Sequence, residues 1–274
     1  MNTTKSPTDF NQQNAFERDK FLDFDSATHT YTLANNPCPL HSVTNVVSTF
    51  FPQFDIDSWS LQKSLREGRS QDDVIKEWER NGQIARNLGT FMHKQIENKF
   101  NGRPVEQGFE LPIGPNEVLD LNISDELRYF DDFVYDVRPI PFRTEWKVYN
   151  DEHHLAGTLD LLAKNHNGDF VLFDWKRSKR MGKENGYDFE PNTYNPHQNG
   201  INGLEHLSST PFTIGCLQQN LYRYILEQSY GLNIKQMHLV MLSTAFSKYH
   251  CVAVPRMDKE VEIILSHLAG AAQR

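Results

Sequence analysis

Asp174 lies 14 residues beyond Asp160 in this sequence, and Lys176 follows two positions later. Two carboxylates and an ammonium brought to one place make a hard-cation site. The ammonium beside it can orient water. The intervening residues suggest how they meet. Leu155-Ala-Gly-Thr-Leu-Asp-Leu-Leu-Ala-Lys164 and Phe170-Val-Leu-Phe-Asp-Trp-Lys176 are apolar runs around Asn165-His-Asn-Gly-Asp169, the pattern of a β-hairpin. Strand alternation puts Leu172, Asp174 and Lys176 on one side and Val171, Phe173 and Trp175 on the other. A carboxylate and an ammonium thus protrude from a largely buried strand, where an unpaired charge is expensive. Asp160 reaches the same spot from the neighbouring strand. Alone, such an Asp–Lys pair is usually a solvated ion pair.

Three further groups add chemistry. In Asn87-Leu-Gly-Thr-Phe-Met-His-Lys-Gln-Ile-Glu-Asn-Lys-Phe100, Leu88, Met92, Ile96 and Phe100 repeat every four residues as the buried stripe of a helix. His93 and Glu97 sit one step round, on a flank that could face a cleft. In Arg143-Thr-Glu-Trp-Lys-Val-Tyr149, a strand turns Trp146 and Val148 one way and Glu145 the other. In Gln218-Gln-Asn-Leu-Tyr-Arg-Tyr-Ile-Leu-Glu227, Leu217, Leu221 and Ile225 form a core stripe, and Gln218 and Tyr222 share another helical face.

In chain order these are G-T-x-x-H on a helix, Glu on a strand, G-T-x-D, D-W-K, and Q-x-x-x-Y on a helix. That order resembles the PD-(D/E)XK nuclease superfamily, in its RecB-like exonuclease branch. Phe24-Asp-Ser-Ala-Thr-His-Thr-Tyr-Thr-Leu33 followed by His41-Ser-Val-Thr-Asn-Val-Val47 is similar to the lead-in of stand-alone nucleases such as the mitochondrial genome maintenance exonuclease and its phage and bacterial relatives. The resemblance runs from about Phe21 to Pro255. It implies that Asp160 and Asp174 are the main metal carboxylates, with the backbone carbonyl of Trp175 and His93 as further ligands. Lys176 would position the attacking water and stabilise charge on the phosphate. Glu145 would stand at the edge, as a water-mediated ligand or a partner of Lys176. Gln218 and Tyr222 would contact the substrate backbone or brace the site. Many relatives carry Thr after the D-W-K lysine, whereas this chain has Arg177, and the segment from Lys176 to Gln218 is long and irregular.

The ligand types point the same way as the resemblance. Oxygen-rich sites with one imidazole suit Mg²⁺ or Mn²⁺ better than zinc, which prefers Cys and His. Cys38, Cys216 and Cys251 fit no zinc spacing and cannot supply the four ligands of an iron–sulfur cluster, so none is expected; they read as reduced, partly buried residues. The net charge of −8 argues mildly against a nucleic-acid partner. Metal carboxylates account for part of it, and Lys176, Arg177, Lys179, Arg180 and Lys183 concentrate positive charge just beyond the D-W-K strand. Arg177, Lys179 and Arg180 are therefore candidate phosphate contacts.

At 274 residues and 38% hydrophobic, the chain suits one large domain. Residues 1–20 read as a polar, disordered N-terminus. Residues 21–274 read as a single nuclease domain, with a hairpin and helical part over 21–140 and the catalytic core over 141–274. No run is apolar enough to cross a membrane, and the expected setting is the cytoplasm, that of a host for a viral gene. Ser42 or Thr44 can cap a helix over Val43 to Phe50 that Pro52 ends. Helices are expected over Asp57–Arg66, Gln71–Gln83 and Asp125–Val137, with Leu127, Phe130, Phe133 and Val134 inward. Met181–Thr213 shows no period, and His197 and His206 there read as solvated. Strands are expected over Met237–Ser243 and Tyr249–Val254, then a helix over Lys259–Leu268. The expected fold is α/β: a PD-(D/E)XK core with a central mixed sheet of about five strands flanked by helices, and an N-terminal helical arm. The expected function is metal-dependent hydrolysis of DNA phosphodiesters by an exonuclease on single strands or free ends. The alternatives are a structure-specific or flap endonuclease, and a catalytically silent nucleic-acid-binding module. Stand-alone relatives tend to thread a free strand through a helical arch. Here the helices between Ser42 and Phe100 would supply it.

Overall fold

The computed structural model describes residues 9–114, 116–186 and 188–271. A first short helix, α1 (Phe10–Gln13), and a 3-10 turn (Glu17–Phe21) precede strands β1 (Leu22–Asp25), β2 (Thr30–Leu33) and β3 (Asn36–Ser42). Helices α2 (Val43–Ser48), α3 (Ile56–Glu67) and α4 (Gln71–Phe100) follow. Next come a hairpin, β4 (Gly108–Gly114) and β5 (Glu117–Asn122), and helix α5 (Ser124–Val137). The strands expected to carry the site are β6 (Ile140–Asn150), β7 (Leu155–Lys164) and β8 (Phe170–Lys176). The chain ends with hairpin β9 (Gly182–Asn185) and β10 (Asp188–Pro191), helix α6 (Pro211–Tyr230), β11 (Ile234–Met241), β12 (His250–Ala253) and α7 (Asp258–Ala271).

The architecture is α/β, with a mixed central sheet between two helical layers. Among the described residues the sheet has eight strands rather than five, ordered β1-β2-β3-β7-β8-β11-β12, with β6 on β7. The three extra strands are the N-terminal ones, recruited because β3 pairs in parallel with β7 through His41↔Leu155 and Ser42↔Ala156. The β8–β11 pair is the other parallel one. On one face Leu172, Leu239 and Met241 pack with α2, α6 and α7. On the other Val171, Phe173, Trp175 and Val240 pack with α4 and α5. Strands covered on both sides are largely apolar, as β7 and β8 are outside Thr158, Asp160, Lys164, Asp174 and Lys176.

Residues 9–20 are structured, contrary to the expected disorder; residues 1–8 lie outside the described residues. Asn11 Nδ2 donates to the Thr144 carbonyl at 2.7 Å, Asn14 Nδ2 to Phe142 at 2.9 Å, and the buried Arg143 pairs with Asp19 at 2.9 Å. Phe16 stacks on Trp146. The polar segment is held by side-chain amides capping strand β6, a use that low hydropathy does not reveal. The β4–β5 hairpin went unforeseen, and part of the supposed loop after Met181 is the β9–β10 hairpin. Helix α4 runs unbroken for 30 residues, roughly 45 Å, through Gly82 and Gly89. Helix α3 is inside out: Ser60 and Ser64 are buried while Ile56, Trp59, Leu61 and Leu65 face solvent. It is tied to α4 by Lys63–Glu77 at 2.8 Å and by Gln71 Nε2 donating to Ser60 Oγ at 2.9 Å.

Candidate metal centre

Strands β7 and β8 part where the site begins. Their ladder runs from Lys164↔Phe170 to Leu161↔Phe173 and stops there. Beyond it β7 turns to β3, while β8 stays with β11 through Asp174↔Leu239 and Lys176↔Met241. Side chains span the gap in place of the backbone. Asp160 Oδ2 accepts from the Trp175 amide at 2.7 Å, and His93 Nε2 lies 3.2 Å from the Trp175 carbonyl oxygen.

The neighbouring strand bends at the same level. Thr144↔Leu161 and Trp146↔Leu159 place Glu145 opposite Asp160 in the β6–β7 ladder. Glu145 has φ +43°, a left-handed conformation that costs a residue with a Cβ roughly 1–2 kcal/mol. In β7, Leu159 and Leu162 join one face of the core and Leu161 the other, so the alternation slips at Asp160. These two slips aim both carboxylates at α4. His93 Nδ1 lies 3.3 Å from Asp160 Oδ1 and 3.5 Å from Glu145 Oε1. The stripe of Leu88, Met92 and Ile96 is buried, as the spacing predicts, and its packing on the sheet fixes His93 in place.

Asp174 sits deeper. Its Oδ1 accepts from Gln219 Nε2 at 3.1 Å. Its Oδ2 lies 2.6 Å from Lys176 Nζ, a charge contact without hydrogen-bond alignment, and is otherwise buried with no donor. The residue of α6 that touches a site carboxylate is thus Gln219, while Gln218 is half-buried one position away. Tyr222 is buried against Gly157, where a methyl group would lie only 2.7 Å from its ring. The glycine of Gly157-Thr158-Leu159-Asp160 is therefore needed for close approach, and the two sequence motifs share a contact. Tyr31 on β2, not singled out from the sequence, reaches Thr158 Oγ1 at 2.9 Å. Its only advance sign was its place among the aromatics of the first hairpin.

Charge sets the protonation states. Burial opposes the charge on His93, but Asp160 and Glu145 outweigh it and hold the imidazole pKa well above its usual value. Burial also opposes the ionised form of Asp160, yet His93 and Lys176 keep its pKa low. At Asp174 burial wins, helped by Asp160 and against Lys176, and the carboxyl rises to about 6. Burial and Asp160 likewise raise Glu145. Lys176 is raised, because Asp174 and Asp160 outweigh burial. Three carboxyl groups thus face His93 and Lys176, and each shifts the others.

A cation fits this donor set. Among the described residues, His93, Glu145 and Asp160 form the one group of three such side chains with ligand atoms all within 4.8 Å of one another. Opposite ligands of Mg²⁺ stand about 4 Å apart, so a small contraction would close the group round an ion. A divalent cation in place of the His93 proton would add positive charge among these carboxyl groups. Asp174 lies outside this trio, and its Oδ2 faces Lys176. Cys216 is close to Lys176 and Asp174, but burial pushes its thiol up to about 12, so it stays protonated. Cys251 is partly buried as expected, whereas Cys38 is exposed.

The His93, Glu145 and Asp160 side chains open into a cavity of about 910 Å³ whose far wall includes Phe24, His29 and Tyr31. Asp174 and Lys176 do not line it. Arg177 turns away to the buried Glu126 of α5, with Nε donating at 2.7 Å. Lys179 and Arg180 line a second cavity. His197 sits near Trp59, and the exposed His206 meets Glu260 at 2.9 Å.

No protein-family model matches this chain, and no curated protein does. The solved structure of SSO0001 aligns with 84% of this chain and 72% of its own length, at 12% identity and a TM-score of 0.31. A likeness that distant carries no argument about function. No helix among the described residues is long and apolar enough to cross a membrane.

Proposed function

We infer that the protein is a Mg²⁺- or Mn²⁺-dependent deoxyribonuclease with a PD-(D/E)XK arrangement, acting on single strands or free ends. The observation that carries this reading is the fork between β7 and β8. There Asp160, Asp174, Lys176, the Trp175 carbonyl, His93 and Glu145 converge from four elements. His93, Glu145, Asp160 and the Trp175 carbonyl would hold the ion, with Asp174 beside them. When bound, the cation polarises the phosphate and lowers the pKa of water. Lys176, kept protonated by Asp174, supplies a positive charge for the oxygen that becomes more negative as the phosphate is attacked. Gln219 fixes the Asp174 carboxylate, and Tyr222 packed on Gly157 fixes β7 just before Asp160. Charges held in fixed positions in this way would stabilise the transition state without reorganisation.

The test is incubation with Mg²⁺ or Mn²⁺ and end-labelled linear single strands, linear duplex and circular single strands. Linear strands should shorten while circles of the same sequence survive. No cleavage of any substrate refutes the nuclease reading, and rapid cutting of circles refutes the requirement for ends.

A further inference from the structure

The second cavity, about 850 Å³, shares no lining residue with the first. Its charged lining comprises Lys179, Arg180 and Lys183 with one carboxylate, Glu190, on a chain of net charge −8. Lys183 meets Glu190 at 3.0 Å, whereas Lys179 and Arg180 have no carboxylate within ion-pair distance among the described residues. Around these cations stand exposed aromatics: Phe54 at 58%, Trp59 at 38% and Tyr194 at 71%. Trp59 is outward because α3 turns Ser60 and Ser64 inward, so this wall does not serve the core. Flat apolar rings beside unpaired cations match a ligand that alternates planar bases with phosphates. A duplex would offer the phosphates but keep its bases stacked inside.

The cavity also borders helix α6. It is lined by Thr210, Pro211 and Ile214 at the start of α6. At the next residue, Gly215, a methyl group would lie 3.6 Å from Lys176 Cε. The Lys176 side chain thus packs on buried α6 directly behind this wall.

We propose that this second cavity binds single-stranded nucleic acid, with bases stacked on Trp59 and Tyr194 and phosphates on Lys179 and Arg180. The proposal deepens the nuclease reading by naming its substrate as unpaired strand, and it is tested without cleavage. Fluorescence anisotropy of a labelled oligothymidylate is measured with the full chain in EDTA. Competitors are unlabelled single strand, duplex and polyglutamate. Single strand should compete far better than duplex, and polyglutamate should not compete. Trp59→Ala and Tyr194→Ala should each weaken binding about fivefold to a hundredfold, the range of one lost stacked base. Trp59→Phe, which keeps an aromatic face, should restore most of it. Arg180→Gln should lower the slope of log affinity against log salt by about 0.7. Unchanged affinity in both alanine variants overturns the proposal, and so does equal competition by duplex or polyglutamate. The two readings separate cleanly. Stacking-dependent binding without cleavage in Mg²⁺ or Mn²⁺ leaves this site and removes the nuclease. Cleavage by a protein indifferent to Trp59 and Tyr194 does the reverse.

Discussion

Replacing Glu145 by glycine should leave the protein more stable than replacing it by alanine. At an ordinary strand position the order is the opposite, because glycine loses more backbone freedom on folding and is worse by about 0.5–1 kcal/mol. Glu145 has φ +43°, where a Cβ costs about 1–2 kcal/mol that glycine does not incur. Subtracting the entropy from the relieved strain, at the midpoints of the two ranges, leaves glycine ahead by about 0.75 kcal/mol. Both variants lose the same side-chain contact, the 3.5 Å approach to His93, so it cancels in the comparison. Lys147, exposed two residues along β6 and without a positive φ, is the control. There alanine should win. The assay is urea unfolding of the four variants in EDTA, with stabilities from linear extrapolation. In thermal melts the Glu145 pair should differ by about 2 °C, glycine higher. If alanine is as stable as glycine at position 145, this residue is not held in the left-handed region. The account of how its carboxylate reaches His93 then fails.

Asp160→Asn, Asp174→Ala and Lys176→Ala should each cut DNA cleavage by about a hundredfold or more while circular dichroism stays native; near-normal cleavage by Asp174→Ala would remove it from the site. His93→Ala should move half-maximal activity to about tenfold higher metal concentration. Because its neighbours raise the His93 pKa, a proton competes with the ion, so wild-type metal affinity measured by calorimetry should rise with pH and that dependence should weaken in His93→Ala. Gly157→Ala should destabilise by about 1–3 kcal/mol in urea melts, since the new methyl meets the buried Tyr222 ring. Asp174 has a folded pKa of about 6 against 3.8, so the folded state binds its proton more tightly. Metal-free protein should gain stability from this group as pH falls from above 6 towards 4, and melts of Asp174→Asn should lack that gain.

Much of the site's frame was legible, for identifiable reasons. Alternation in Phe170–Lys176 placed Val171, Phe173 and Trp175 together, as they lie against α4 and α5, because a strand covered on both faces keeps its period. The four-residue spacing around His93 located the buried stripe of α4. The failures have causes as definite. Helix α6 is buried nearly all round, so it has no polar face to mark which glutamine turns inward, and Gln219 was missed beside Gln218. The length of the sheet depended on His41↔Leu155, a pairing across more than a hundred residues that no local pattern encodes. Residues 9–20 are fixed by Asn11, Asn14 and Arg143, polar groups whose partners lie in distant sequence.

The inverted helix α3 gives the protein a compliant doorway. Ser60 and Ser64 contribute almost no hydrophobic anchorage, and the ties to α4 are polar contacts that water and salt can replace. Lifting such a helix exposes little new apolar surface, so its opening free energy is a small fraction of that for unfolding the sheet. The wall bearing Trp59 should therefore exchange its amide hydrogens faster than the fork, which Asp160 and His93 tie together. On the proposed function, admission and chemistry would sit on mechanically separate parts of one chain.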